Sequence, residues 1–159
     1  VVRQVLRVGV IFLLGLLVIS GCAGGSQSAS TAHITKKQWV QKAFAICRRL
    51  GHEQQRRYFA FERSHGMKVG APGQQELERV NTILVLPFVE RKINELRALS
   101  VPTGEQAKIE KILKSMEEGI RVSKAHPEWL ATPTQAHPDP FTKTLELTSA
   151  YGIWDCGQA

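Results

Sequence analysis

From Val8 to Ile19 every residue is apolar or glycine, a run of 12 that ends at Ser20-Gly21-Cys22 and gives way to a Gly/Ser tract. Nothing else in the chain constrains its fold as strongly, because this run decides which part of the sequence joins the folded body. A bilayer-spanning helix needs about 20 apolar residues, so the run is short for that role. It has the length of the apolar centre of an export signal, about 7–15 residues, and Arg3 and Arg7 provide the basic start of one.

The segment Ile19-Ser20-Gly21-Cys22 resembles a bacterial lipobox, which has an aliphatic residue, two small ones and an obligatory cysteine. The chemistry explains each position. A thiolate is the nucleophile that accepts a diacylglyceryl group as a thioether. Small residues before it admit the backbone to the peptidase that cuts between Gly21 and Cys22. The resemblance implies that residues 1–21 are a signal peptide and that Cys22 becomes the lipidated first residue of the mature chain. Each buried CH₂ contributes about 0.8 kcal/mol and one acyl chain binds reversibly, so two or three chains on one cysteine make a durable membrane anchor. Residues 22–34, rich in Gly, Ser and Ala at their start, read as a flexible tether with a span of about 20 Å.

With Cys22 acylated, Cys47 and Cys156 are the remaining cysteines, and an exported compartment permits their pairing. A bridge closing about 100 residues stabilises a fold by roughly 4–5 kcal/mol on the chain-entropy account. The other reading is a redox-active or metal-binding pair. It lacks a C-x-x-C motif and histidines at ligand spacing.

The remainder, residues 35–159, reads as an all-α domain. Thr35 with Gln38 forms a capping box that opens a first helix, with Trp39, Val40, Phe44, Cys47, Leu50, Tyr58 and Phe61 near a three-four repeat and a stop at Ser64-His65-Gly66. A second helix is expected over 74–99, with Leu77, Val80, Leu84, Phe88 and Leu96 on one face and a kink at Pro87. Thr103 and Gln106 repeat the capping pattern for a third helix, ending before His126-Pro127. After a Pro-rich connection, Asp139 caps a short fourth helix whose first residue is Pro140 and whose stop is Gly152. Short connections favour antiparallel neighbours, hence a small up-down-up-down bundle with a kinked second helix, closed by one disulfide.

Three stretches (Trp39–Cys47, Leu96–Pro102 and Tyr151–Gly157) are together similar to small exported helical lipoproteins of high-GC Gram-positive bacteria, which have no established activity. That resemblance implies the two-cysteine bundle and nothing about mechanism.

The chain carries a net charge of +7; without Arg3 and Arg7 the balance is 19 basic to 14 acidic residues, or +5. This mild excess favours anionic lipid headgroups or wall polymers as contacts. Nucleic acid is a poor reading, since basic residues alternate with Glu and no reader motif is present. Arg48, Arg49, Arg56 and Arg57 surround His52 and Glu53, with Glu53 placed to pair with Arg49 and Arg57. They read either as a basic stripe for phosphate groups or, more simply, as a solvated face.

Candidate chemistry is sparse. One E-x-x-H occurs, Glu62 to His65, where a di-iron bundle needs two. His137 and Asp139 are close, but zinc needs further donors and Asp139 is expected to cap a helix. Serine-elbow, P-loop and dinucleotide motifs are absent from the sequence, so no catalytic residues, metal or cofactor are assigned. Trp39 and Trp154 are expected to pack around the bridge, leaving Trp129 as the candidate exposed contact. The expectation is a non-catalytic binding or scaffolding domain. The alternative is a carrier that holds a small hydrophobic or anionic ligand in a pocket lined by Phe44, Leu84 and Phe88.

Overall fold

The computed structural model describes residues 34–66 and 72–158. The expected signal peptide, Cys22 and the tether up to residue 33 lie outside the described residues. Ile34, assigned to the tether from sequence, already packs against the hydrophobic core. Among the described residues the chain is all helical, with no strand.

The first helix, α1 (Lys36–His65), starts where the local chemistry dictates. The Gln38 N–H donates to Thr35 Oγ1 at 3.2 Å, and the Thr35 N–H donates to Gln38 Oε1 at 2.9 Å, so two otherwise orphaned donors are satisfied. It ends at Gly66, whose φ of +62° suits glycine. Trp39, Ala43, Cys47 and Leu50 form its buried face, spaced as one side of a helix. Beyond Leu50 the apolar stripe weakens: Phe59 is exposed, while Glu62 is buried.

The expected second helix is three consecutive helical elements. α2 (Gln74–Val80) runs into a π-helical turn, Asn81–Val85, and then α3 (Leu86–Arg97). Pro87 accounts for the π turn. It has no N–H, and its ring crowds the carbonyl four residues back, so the ladder just upstream widens and the Leu86 N–H reaches Asn81 O. One extra residue per turn rotates the buried face. Val85, Leu86 and Val89 are therefore buried where the regular repeat placed Leu84, which is half-buried.

α4 (Gln106–Ala125) begins later than the Thr103 box required. That box needs Gly104 in helical geometry, and Gly104 has φ +81°. Instead Glu105 flanks the helix, accepting the Ile109 N–H on its carbonyl at 3.0 Å. The Pro-rich connection contains a short helix, α5 (Pro127–Ala131), with Pro127 as its first residue; here proline starts a helix as well as ending one. α6 (Thr142–Tyr151) begins two residues after Pro140. Asp139 still organises that entry, with Oδ1 accepting the Phe141 N–H at 2.7 Å and its carbonyl accepting the Thr142 N–H at 3.0 Å. Gly152, at φ +93°, ends α6, and a 3₁₀ turn, Trp154–Cys156, follows.

The core joins α1, α3 and α4 through Trp39, Leu86, Ile93, Leu96, Ile112 and Met116, and reaches Tyr151 and Ile153 at the C-terminal end. Trp39 meets Tyr151 edge-to-face, with centroids 5.5 Å apart. α6 buries threonines in place of large apolar groups: Thr148 Oγ1 donates to Thr144 O at 2.9 Å, and Thr144 Oγ1 donates to Ser115 Oγ at 3.1 Å. Gly119 lets α4 approach the Phe141 ring closely; a Cβ there would lie 2.5 Å from ring carbons.

Candidate functional site

Cys47 and Cys156 form a disulfide with Cα atoms 5.1 Å apart, spanning 109 residues. It fastens the 3₁₀ turn and the residues after it against the middle of α1. Between that C-terminal segment, α1 and α3 lies a cleft of about 670 Å³.

Each element contributes one kind of surface. Gly51, in mid-helix on α1, opens the wall: a Cβ built there meets nothing within 4 Å. Arg48 and His52 flank it, and Tyr58 and Phe59 lie about two turns further along. The C-terminal segment adds Trp154, which is 52% exposed, together with Asp155 and Gln158. α3 supplies Lys92, a residue only 2% exposed.

Lys92 is the unusual member. It follows Phe88 by four residues and precedes Leu96 by four, so α3 carries an ammonium in its buried stripe. Its Nζ donates to the Gln158 carbonyl oxygen, and Asp155 acts on it electrostatically without forming an ion pair. Burial lowers its pKa from 10.5 to about 8, against a smaller opposing pull from Asp155. Sequence reasoning passed over this residue. The signal was available as a basic residue in the one gap of the stripe from Phe88 to Leu96.

The predicted basic stripe divides. Arg48 lies over the Phe44 ring at 5.6 Å and borders the cleft with His52. Arg49 pairs with Glu95 on α3, not with Glu53. Glu53 instead accepts Arg57 at 2.8 Å and Arg91 at 3.0 and 3.2 Å, and the Arg91 guanidinium leads in holding its carboxyl below the usual range. Arg56 is exposed and outside the cleft. Two of the four arginines are thus committed to carboxylates.

The expected pocket at Phe44, Leu84 and Phe88 is not the cleft that forms. Phe44 packs against Trp154, with centroids 6.3 Å apart, and Phe88 is buried beneath the guanidiniums of Arg57 and Arg91 at 5.5 and 5.1 Å. The tryptophan assignments also change. Trp39 is fully buried, as expected, but Trp154 is the exposed one. Trp129 is half-buried, with its indole stacked between His126 at 3.9 Å and His137 at 4.4 Å.

His65 stacks on Phe61 at 3.9 Å, and its Nδ1 lies 3.0 Å from Phe61 O, in a contact local to the helix end. Burial, with the Glu62 carboxylate adding to it, pushes the Tyr58 phenol upward. Among the described residues no group of three His, Cys, Asp or Glu side chains is placed to hold a metal ion. No described helix is long and apolar enough to cross a membrane. No protein-family model, curated protein or solved structure matches the chain.

Proposed function

We propose that the protein is a cell-envelope lipoprotein, anchored to the extracytoplasmic face of the cell membrane through lipid on Cys22, whose helical domain is a non-catalytic binding module. In this reading residues 1–21 are removed, residues from Cys22 form the tether, and the connections between helices are those of an up-down-up-down bundle kinked at Pro87. The observation that carries it is the Cys47–Cys156 bridge, the kind of cross-link that persists in exported proteins and is rare in the cytosol. The Ile19-Ser20-Gly21-Cys22 segment supports the same compartment independently. Arg48 and Arg56, which pair with no carboxylate within ion-pair distance among the described residues, are the side chains left for anionic headgroups or wall polymers.

The cleft at Lys92 favours the carrier over the pure scaffold, because it sets a buried ammonium beside open space of small-molecule size. The anchor is tested by replacing Cys22 with Ser in the native host and feeding a fatty-acid analogue. Precursor should accumulate unlabelled. Persistent labelling of the variant would exclude Cys22 as the lipid site.

A further inference from the structure

We infer that the Lys92 cleft is a binding site for a small organic monoanion carrying a flat apolar ring, with the anion seated on Lys92 Nζ and the ring lodged among Tyr58, Phe59 and Trp154. This deepens the binding-module reading and rests on it only for the compartment.

The charge comes first. An ammonium has three donors, and the described residues give Lys92 one hydrogen-bond acceptor, the Gln158 carbonyl. Among the described residues no carboxylate lies within ion-pair distance of it, although the residue is 2% exposed. A buried charge is ordinarily paired and fully hydrogen-bonded, so this one has room for an anionic acceptor. The nearby charges fix the ligand's valence. Lys92 and Arg48 oppose Asp155, which leaves a single positive charge among these three groups. A carboxylate matches that balance and a dianion exceeds it.

The walls specify the rest of the molecule. Trp154 and Phe59 are 52% and 44% exposed, unusual for side chains so large, and both line this one cleft. Gly51 makes the space between them. Glycine is unfavourable in the middle of a 30-residue helix, and no crowding neighbour requires it there, since a Cβ would meet nothing within 4 Å. What glycine leaves is depth, enough for a ring to pass α1 and bring its anion to Lys92. A cleft of about 670 Å³ is of the size that takes small molecules.

The test titrates the full-length protein with 2-naphthoate, with 2-naphthylmethanol as the same ring without charge and acetate as the charge without the ring. Heat of binding and tryptophan emission are followed together. Naphthoate should bind saturably, and each comparator at least about tenfold more weakly. Lys92→Met, which keeps the side-chain length, should weaken naphthoate by a similar factor. Should that variant misfold, Gly51→Leu serves: it extends a side chain into the cleft from a position where a Cβ meets nothing within 4 Å, and should abolish binding while the helical circular dichroism is unchanged. Equal naphthoate affinity in wild type and either folded variant overturns the inference, as does the absence of saturation at millimolar naphthoate. The Cys22→Ser precursor should bind naphthoate normally. Loss of labelling there with binding intact upholds both ideas, whereas labelling of Cys22 with no naphthoate binding sinks the ligand inference alone.

Discussion

Lys92, on α3, donates a hydrogen bond to the carbonyl oxygen of Gln158, two residues beyond the disulfide-bonded Cys156. The bridge therefore holds in place the only hydrogen-bond acceptor found for that ammonium among the described residues. Folding, covalent closure and the chemistry of the cleft meet at this point.

Lys92 should make stability depend on pH in a way its removal abolishes. The unfolded side chain titrates at 10.5 and the folded one at about 8. Between those values the unfolded chain holds more protons, so stability rises with pH. The penalty is fully present below about pH 8 and gone above about 10.5, and amounts to about 3 kcal/mol. Among the described residues Lys92 meets Asp155 and the Gln158 carbonyl from the C-terminal segment, and Arg48, His52 and Tyr58 of α1 share its cleft. Urea denaturation of wild type and Lys92→Met at pH 7 and pH 10 isolates the effect. The variant should be the more stable at pH 7, and the difference should shrink at pH 10.

Opening the Cys47–Cys156 bridge should cost about 4–5 kcal/mol, as expected for a closed loop of 109 residues. The paired Cys47→Ala, Cys156→Ala variant should show an unfolding free energy lower by that amount, read from its reduced urea midpoint. Trp154 emission should shift to the red as the 3₁₀ turn leaves Phe44.

Two glycines inside helices should respond oppositely to alanine. Gly51→Ala adds a methyl to open space and should gain about 0.5–1 kcal/mol from helix propensity. Gly119→Ala drives a Cβ to 2.5 Å from the Phe141 ring and should lose about 1–3 kcal/mol. Thermal melts of the two variants decide the matter.

Thr35→Ala should lose about 1 kcal/mol, because Thr35 Oγ1 accepts the Gln38 N–H and half of the capping box disappears. Thr103→Ala should not produce the loss of a helix cap, since α4 begins at Gln106. Chemical denaturation of the first variant, and hydrogen exchange in the first turn of α4 in the second, check the contrast.

What the sequence made legible was local. Thr35 with Gln38, and Gly66 and Gly152 as stops, were read correctly because each cap is decided within a few residues. The misreadings arose where one local signal overrode another or where packing decided. Gly104 broke the Thr103 box, and the π turn before Pro87 rotated the apolar face away from Leu84. Trp154, though packed on Phe44 beside the bridge, is more exposed than expected and Trp129 less so, because a side chain's exposure depends on segments distant in sequence. The cleft was hidden for the same reason: Gly51, Lys92 and Trp154 carry no common motif, and only the fold brings them together.

The most direct test of the anchored, oxidised domain is the intact mass of the mature protein extracted with detergent from its native membranes, before and after reduction. A chain that begins at Cys22, carries a diacylglyceryl group and gains two hydrogens on reduction is the predicted result. A chain beginning elsewhere without lipid, or one with Cys47 and Cys156 already free, would contradict the account.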